Sequence, residues 1–170
     1  MPAPTLNPYA AYLGSRDPRG ALADTPRRIA SLVATFDGAA FGRSYGPGKW
    51  TARQLLVHLA QSEIMFQARV RHALITPGFV VTPFEQDDLM ALEPGPDGPT
   101  AFACYEGLRR FLLPLVEALT PDQWAHTCMH PERGAITAGD ILATMAGHEL
   151  LHLQHLEIIA GRRRSVTVPA

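Results

Sequence analysis

Three histidines in the sequence, His58, His148 and His152, are placed so that their side chains could share one metal ion. His148 and His152 are four residues apart in a stretch with helical periodicity, and residues at i and i+4 lie one above the other on a helix face. Each can therefore direct a ring nitrogen at the same ion, at roughly 2.0–2.1 Å. His58 lies on the predicted inward face of another helix. Because three imidazoles leave at least one coordination position open, the pattern is typical of a catalytic metal site.

The alternative for each histidine is a core residue held by hydrogen bonds, which is the commoner situation for one histidine on an apolar face. Three such rings side by side repel one another once protonated, and a shared cation removes that repulsion, so we favour a metal site. His155 lies about 10.5 Å along the axis from His148, at about 1.5 Å per residue, and is predicted to be a rim or core polar residue rather than a ligand. Three histidines lie near element ends or in predicted loops and are expected to be solvated: His72, His126 and His130. For His126 and His130 the alternative is a place at the mouth of the pocket.

The segment His148-Glu149-Leu150-Leu151-His152 also matches the H-E-x-x-H signature of zinc proteases, in which the glutamate acts as base on metal-bound water. A protease is disfavoured because no G-x-x-H extension supplies a third ligand and no preceding strand can hold a peptide. In a fold other than that of the proteases, Glu149 stays a candidate base that acts near metal-bound water. The alternative is a carboxylate that faces solvent or supports a metal ligand. A ferritin-like di-iron site needs paired Glu-x-x-His motifs, which the other glutamates considered do not form: Glu63, Glu106 and Glu117.

Four long amphipathic segments must position these histidines. The clearest start signals are capping boxes, Thr51 with Gln54 and Thr137 with Asp140, and Gly161 suits a helix C-terminus. Apolar residues at 3–4 spacing, with an N-cap at Asp24 for the first segment, predict four helices: about 25–37, 52–74, 100–119 and 137–160. The proline-rich connection over 76–99 is predicted to hold a short helix within 83–90, and 126–135 is predicted to be a loop. Strand signals are too short and isolated to predict a sheet.

The composition fits one globular domain and disfavours several kinds of partner. A chain of 170 residues, 46% of them apolar, can bury a core without disulfides, and two cysteines do not indicate a disulfide framework. A net charge of −1 does not suit nucleic-acid binding, and we interpret the basic run Arg162–Arg164 as a solvated tail. No apolar run of about 18 residues predicts a membrane span and no signal-peptide pattern opens the chain, so we expect a cytoplasmic protein.

The segments around these histidines resemble the DinB-like superfamily, which includes the YfiT-type metal proteins and the bacillithiol- and mycothiol-dependent transferases. The resemblance extends over residues 25–161 and rests on three segments that occur in the expected order: Gly48–Ala60, Gly134–Leu142 and His148–His152. The metal triad of that family consists of one histidine on the second helix and an H-x-x-x-H pair on the fourth. These positions coincide with His58, His148 and His152.

The resemblance implies an all-α fold, a single four-helix bundle of up-down-down-up topology with a long crossover between helices 2 and 3. The bundle would occupy residues 25–161, after an irregular lead-in over 1–24 and before a tail over 162–170. It also implies a divalent metal ion, most commonly zinc or nickel, a low-molecular-weight thiol as cosubstrate, a small-molecule substrate and a homodimer.

The activity that the resemblance implies is that of a metal-dependent thiol S-transferase of the bacillithiol type acting on small electrophiles, in which the metal keeps the thiol as thiolate. Two alternatives stay open. One is a metal-dependent hydrolase that uses metal-bound water, with Glu149 as base. The other is a non-catalytic stress-response protein that binds metal or a small ligand. The sequence does not choose among them, because a bundle pocket admits thiol and water equally.

Overall fold

The computed structural model describes residues 7–163, and four long helices dominate it. The helices are α1 (Ala10–Leu13), α2 (Pro18–Val33), α3 (Gly38–Phe41), α4 (Ala52–Ile75), α5 (Gln86–Leu92), α6 (Gly98–Ala118), α7 (Pro121–Trp124) and α8 (Ala138–Ile159). Two strands, β1 (Thr127–His130) and β2 (Gly134–Thr137), precede α8. The long helices that were predicted over 52–74, 100–119 and 137–160 are confirmed to within two residues at each end.

The helices that carry the histidines begin where their capping residues lie. The side chain of Thr51 accepts a hydrogen bond from the Gln54 amide while the Gln54 side chain accepts one from the Thr51 amide. Thr137 and Asp140 form the same reciprocal pair at the start of α8. At the other end of α8, Gly161 has a φ of 70°, a value that glycine adopts without steric cost and that commonly ends a helix.

The predicted start of the first long helix at Asp24 is wrong. Helix α2 begins seven residues earlier, with Asp17 as N-cap and Pro18 in the first turn, and Pro26 lies inside the helix. Residues 18–24 are therefore helical rather than part of an irregular lead-in, and α1 lies within that lead-in as well. Both Asp-Pro and Asp-Thr-Pro are valid start signals, and the structure uses the earlier one. Residues 1–6 and the tail from 164 onward lie outside the described residues.

The predicted loop over 126–135 and the predicted absence of a sheet are also wrong. Strands β1 and β2 form an antiparallel hairpin in which Thr127 is opposite Thr137. The extended segment at Phe79–Val81 joins it, because Met129 donates its amide hydrogen to the Phe79 carbonyl and the Val81 amide donates to the Met129 carbonyl. Four-residue strands show too few alternations to be recognised in a sequence. Within the long connection, the short helix α5 occurs slightly later than the predicted 83–90.

The bundle has the up-down-down-up topology. Helices α4 and α6 run parallel, because Arg53 near the start of α4 bonds to the Pro96 carbonyl just before α6, and Glu63 further on meets Arg109. Helix α8 runs antiparallel to α4. It runs parallel to α2, because the Arg28–Glu157 ion pair lies near the ends of both helices. Each of α2 and α4 packs against both α6 and α8. The all-α four-helix bundle is confirmed, and the single-domain division at residues 25 and 161 stays a prediction.

One buried cluster of charged side chains joins all four long helices. Arg109 on α6 is 1% exposed and donates from Nη1 to the Leu22 carbonyl of α2 at 2.8 Å and to Glu149 of α8 at 2.8 Å. Its Nη2 contacts Glu149 again and also Glu63 of α4. A planar guanidinium offers five donors in a fixed fork, which suits two carboxylates at once. The cluster therefore sets how the helices are rotated relative to one another.

Within residues 7–163, none of the helices combines the length and the apolar character needed to cross a lipid bilayer.

We expect Arg109→Met to lower the free energy of unfolding by about 3–5 kcal/mol, because it leaves two buried carboxylates without a cation. Arg110→Met is the matched control, since Arg110 pairs only with Glu106 at the surface and should change stability by about 0.5 kcal/mol or less. Urea denaturation measures both variants. Adding Glu63→Gln and Glu149→Gln to Arg109→Met should recover part of the loss, and equal stability of the two single variants would contradict this role for Arg109.

Candidate metal centre

Helices α4 and α8 bring the three predicted histidines together. The Nε2 atoms of His58 and His148 are 2.8 Å apart, and those of His148 and His152 are 3.1 Å apart. All three ligand atoms lie within 4.8 Å of one another, and the three side chains are buried. The predicted meeting of these imidazoles is therefore present, and their role as metal ligands stays a prediction.

The geometry of the three rings fits a shared cation better than hydrogen bonding alone. Two nitrogens bound to one tetrahedral zinc lie roughly 3.3–3.4 Å apart, close to the separations found here. A neutral imidazole has one N–H, so the Nε2 atom of His148 cannot donate to both of its neighbours. Among residues 7–163, the buried Nδ1 atoms of His148 and His152 have no hydrogen-bond partner, so Nε2 makes the polar contacts of these two rings. A single cation would satisfy all three Nε2 lone pairs.

The electrostatic environment keeps the three rings neutral, which is the form that binds metal. Burial lowers the pKa of His58 to about 4. Burial lowers the pKa of His148 well below its usual value, and the neighbouring His58 and His155 lower it further. Burial also lowers the pKa of His152 well below its usual value, and the other histidines lower it further.

Aromatic rings hold the histidines in place. The Trp50 ring centroid is 4.7 Å from that of His58, and the Tyr9 ring meets the edge of His148 at 5.1 Å. Tyr9 comes this close because residue 147 is glycine: a Cβ there would lie 2.6 Å from the Tyr9 carbonyl oxygen. His155, predicted not to be a ligand, is outside the group of three. It is partly buried and stacks on Tyr45 with ring centroids 3.9 Å apart.

A cavity of about 330 Å³ opens onto His58 and His148, whereas His152 is not in its wall. Its lining comes from the N-terminal segment, α4, the long connection, the hairpin and α8. The polar and charged side chains that line it include Tyr9, Arg69, Glu85, His130, Glu132 and Arg133. An ion on the three Nε2 atoms would thus be backed by His152 and would face the cavity. Pockets of this size suit small molecules.

His130 departs from the prediction that it is solvated, and the pocket-lining alternative is correct for it. Its side chain is 7% exposed because the hairpin turns it inward, and it lines the cavity. Its Nδ1 accepts a hydrogen bond from the Glu132 amide at 3.2 Å, which leaves Nε2 to carry the proton of the neutral ring. His72 and His126 are exposed, as predicted.

Glu149 does not face the cavity. Both of its carboxylate oxygens contact Arg109, and the residue is 2% exposed, so the solvent-facing alternative is wrong. Burial raises the pKa of Glu149 well above its usual range, and Arg109 opposes that effect. The residue next to a ligand on a helix points about 100° away from it, which turns Glu149 toward α6 when His148 faces the cavity. The carboxylate that was predicted to act as base is therefore engaged in the bundle core.

Three further cavity residues escaped the sequence analysis: Tyr9, Arg69 and Arg133. Tyr9 lies in the segment that was predicted to be irregular, and Arg69 and Arg133 carry no motif. The hairpin that presents Arg133 had no recognisable strand pattern.

Comparison with known proteins gives a consistent family assignment. Residues 21–156 match the DinB superfamily. Two proteins of Oceanobacillus iheyensis that carry the provisional name of metal-dependent hydrolase are similar to this chain. One is 27% identical over 141 residues, 82% of this chain and 82% of that protein. The other is 29% identical over 133 residues, 77% of this chain and 76% of that protein.

Two solved structures share the fold. YfiT from Bacillus subtilis, provisionally assigned as a metal-dependent hydrolase with an unusual four-helix bundle topology, has a TM-score of 0.77 at 22% identity and covers 85% of each chain. A mycothiol-dependent maleylpyruvate isomerase has a TM-score of 0.67 at 19% identity, over 82% of this chain and 59% of that one. At such identities the likeness concerns the fold alone.

We expect the purified protein to contain about one divalent ion per chain and the His58→Ala, His148→Ala double variant to contain almost none, because one imidazole cannot hold the ion. The matched control is His126→Ala, which removes an exposed histidine far from the group in sequence. Elemental analysis by mass spectrometry measures the content. Equal metal in the double variant and the wild type would refute the site.

We also expect the metal-free protein to lose stability as the pH falls from about 6.5 toward 5. The unfolded histidines bind protons near pH 6.5, whereas folded His58, with its pKa lowered to about 4, does not. The unfolded state therefore gains protons first, and for His58 alone the loss between pH 7.5 and pH 5.2 is about 1.5–2 kcal/mol. Urea denaturation at pH 7.5 and pH 5.2 measures it. The pH dependence should shrink in His58→Gln, and an unchanged dependence would contradict the assignment.

Proposed function

Because the chain belongs to the DinB superfamily, we propose that it is a metal-dependent S-transferase that joins a low-molecular-weight thiol to a small electrophile. The ion would be held by His58, His148 and His152. Zinc and nickel are the metals we expect, since both accept imidazole ligands. The thiol would be of the bacillithiol or mycothiol kind.

One observation carries the proposal: three neutral imidazoles converge from two helices, and two of them, His58 and His148, line a cavity. A site made only to stabilise the fold is usually closed by four protein ligands. Here one side of the histidine group faces a space large enough for a small molecule. This supports a reactive rather than a structural ion.

A bound divalent ion would keep a thiol as thiolate at neutral pH, since three neutral ligands leave its charge uncompensated. In the transfer, the sulfur lone pair forms a new carbon–sulfur bond and the leaving group departs with its bonding electrons. The thiol proton passes to solvent or to the leaving group. His130, with a proton on Nε2 in the neutral form, can donate a hydrogen bond to that leaving group as its negative charge develops. Apolar walls that include Phe66, Val81 and Ile136 limit the access of water.

Metal-dependent hydrolysis is the second candidate, and the names of the relatives in Oceanobacillus iheyensis favour it. Its expected base, Glu149, is held by Arg109 in the bundle core, and the glutamates in the cavity wall, Glu85 and Glu132, are exposed. A thiol needs no such base once its proton is lost to metal binding. The thiol reaction is therefore the better match to this cavity. A homodimer and the lack of a nucleic-acid partner stay predictions.

We expect cobalt-substituted protein to develop a sulfur-to-cobalt charge-transfer band in the near ultraviolet when a thiol is added. The His58→Ala, His148→Ala variant should show no band, and His126→Ala should behave as the wild type. Absorbance titration with 2-mercaptoethanol measures this. The thiol should also react with an activated aryl chloride at least tenfold faster in the presence of the protein.

The hydrolase candidate predicts a different result. Turnover of an activated ester without any thiol, together with a silent cobalt spectrum, would refute the transferase and support hydrolysis. A silent spectrum with neither activity would refute both and leave the metal with a structural role.

A further inference from the structure

Two arginine side chains line the cavity that the histidines face, one from α4 and one from the hairpin. Arg69 lies eleven residues after His58 on α4, and Arg133 lies in the turn between β1 and β2. Both are partly buried. Burial lowers the pKa of Arg69 and of His130, and the charge of Arg133 lowers both further. Burial raises the pKa of Tyr9, and the charge of Arg133 opposes that effect. The charge of Arg133 therefore acts on groups from the N-terminal segment, from α4 and from its own hairpin.

Neither arginine has an acidic partner within residues 7–163. Arg69 donates from Nη2 to the Thr82 carbonyl at 2.6 Å, packs over Phe84 at 4.8 Å, and leaves its buried Nε without a partner. The Arg133 side chain makes no hydrogen bond or ion pair with any described residue. Two like charges in a partly enclosed space disfavour each other, and a buried donor without a partner is costly. An anion between them would relieve both.

The acidic residues of the same cavity do not fill this role. Glu85 and Glu132 line it, but both are exposed, and neither is within ion-pair distance of Arg69 or Arg133. Exposed carboxylates are screened by water, whereas the partly buried guanidinium groups are screened less. The inner part of the cavity is therefore the more positive part.

Arg69 is close enough to His148 for one small molecule to reach both. The Phe66 ring lies between them, 5.9 Å from the His148 ring and 5.8 Å from the Arg69 guanidinium carbon. That carbon is consequently within about 12 Å of the His148 ring centre. A metal–sulfur bond, a short carbon chain and an arginine-bound carboxylate together cover a similar length.

We propose that Arg69 and Arg133 form a subsite for a carboxylate of the substrate, so that the protein acts on anionic small molecules. The proposal rests on the proposed function in that the reacting end of the substrate faces the three histidines. Guanidinium groups recognise carboxylates through paired hydrogen bonds of fixed geometry, which orients the molecule as well as binding it. The carboxylate belongs either to the thiol or to the electrophile, and the two sources are separable by experiment.

The test compares three probes on the protein as purified, with equal metal content in all variants. Mercaptosuccinate carries a thiol and carboxylates, 2-mercaptoethanol carries only the thiol, and succinate carries only carboxylates. Calorimetry gives the Kd of each. We expect Arg133→Gln to raise the Kd of mercaptosuccinate or succinate by about tenfold or more, which is the loss typical of a charge-assisted hydrogen bond. The Kd of 2-mercaptoethanol should stay unchanged. Arg27→Gln, at an exposed arginine on α2, is the matched control. Arg133 is the better residue to change, because Arg69 also holds the connection at Thr82.

The outcomes separate the sources and the hypotheses. If Arg133→Gln weakens the binding of mercaptosuccinate alone, the carboxylate belongs to the thiol. If it weakens the binding of succinate in the presence of bound 2-mercaptoethanol, the carboxylate belongs to the electrophile. Equal Kd values in wild type, Arg133→Gln and Arg27→Gln for both acids would overturn the subsite. The cobalt spectrum with 2-mercaptoethanol reports independently on the proposed thiol chemistry, so that either idea can fail while the other stands.

Discussion

A single buried guanidinium sets the arrangement on which the rest of this structure depends. Arg109 bonds to a backbone carbonyl of α2 and to carboxylates of α4 and α8, and all of these groups lie out of reach of water. Charges in such a place must be matched closely, because an unpaired ion in the core costs several kcal/mol. The helices can therefore rotate little about their axes. Glu149 directly follows His148, so fixing the carboxylate toward α6 also fixes the imidazole toward the cavity.

The histidine group is the opposite kind of polar cluster, in which the rings lack partners of their own. Three buried neutral imidazoles meet through Nε2, and two of them have a buried Nδ1 atom that no residue of the described part of the chain contacts by a hydrogen bond. Desolvation keeps them deprotonated, which lowers the stability of the metal-free protein in acid but prepares the site for a cation. The aromatic rings of Trp50 and Tyr9 restrict the imidazoles further. A bound ion would turn an unfavourable cluster into a favourable one.

The H-E-x-x-H segment shows how the same spacing acquires different roles in different surroundings. Both histidines face the cavity side of α8, as helix geometry requires of residues four apart. Glu149, which lies between them in sequence, faces α6 and forms an ion pair with Arg109. In this bundle its carboxylate is part of the core, and the side of the histidine group that faces the cavity is bordered by His130, Arg69 and Arg133 instead. With its carboxylate held by Arg109, Glu149 is not available as a base at the cavity.

Local signals in the sequence were sufficient for the main helices and for the three histidines. Capping boxes at Thr51 and Thr137, apolar spacing and the i,i+4 pair act over a few residues, so they can be recognised without knowing the fold. Resemblance to a family supplied the topology. The start of α2 was missed because two start signals compete there, and the hairpin because its strands are short. The partners of Glu149, the inward position of His130 and the approach of Arg133 to Arg69 depend on contacts between residues far apart in the chain. Only the packed tertiary structure decides such contacts, since burial and charge matching are properties of the whole core.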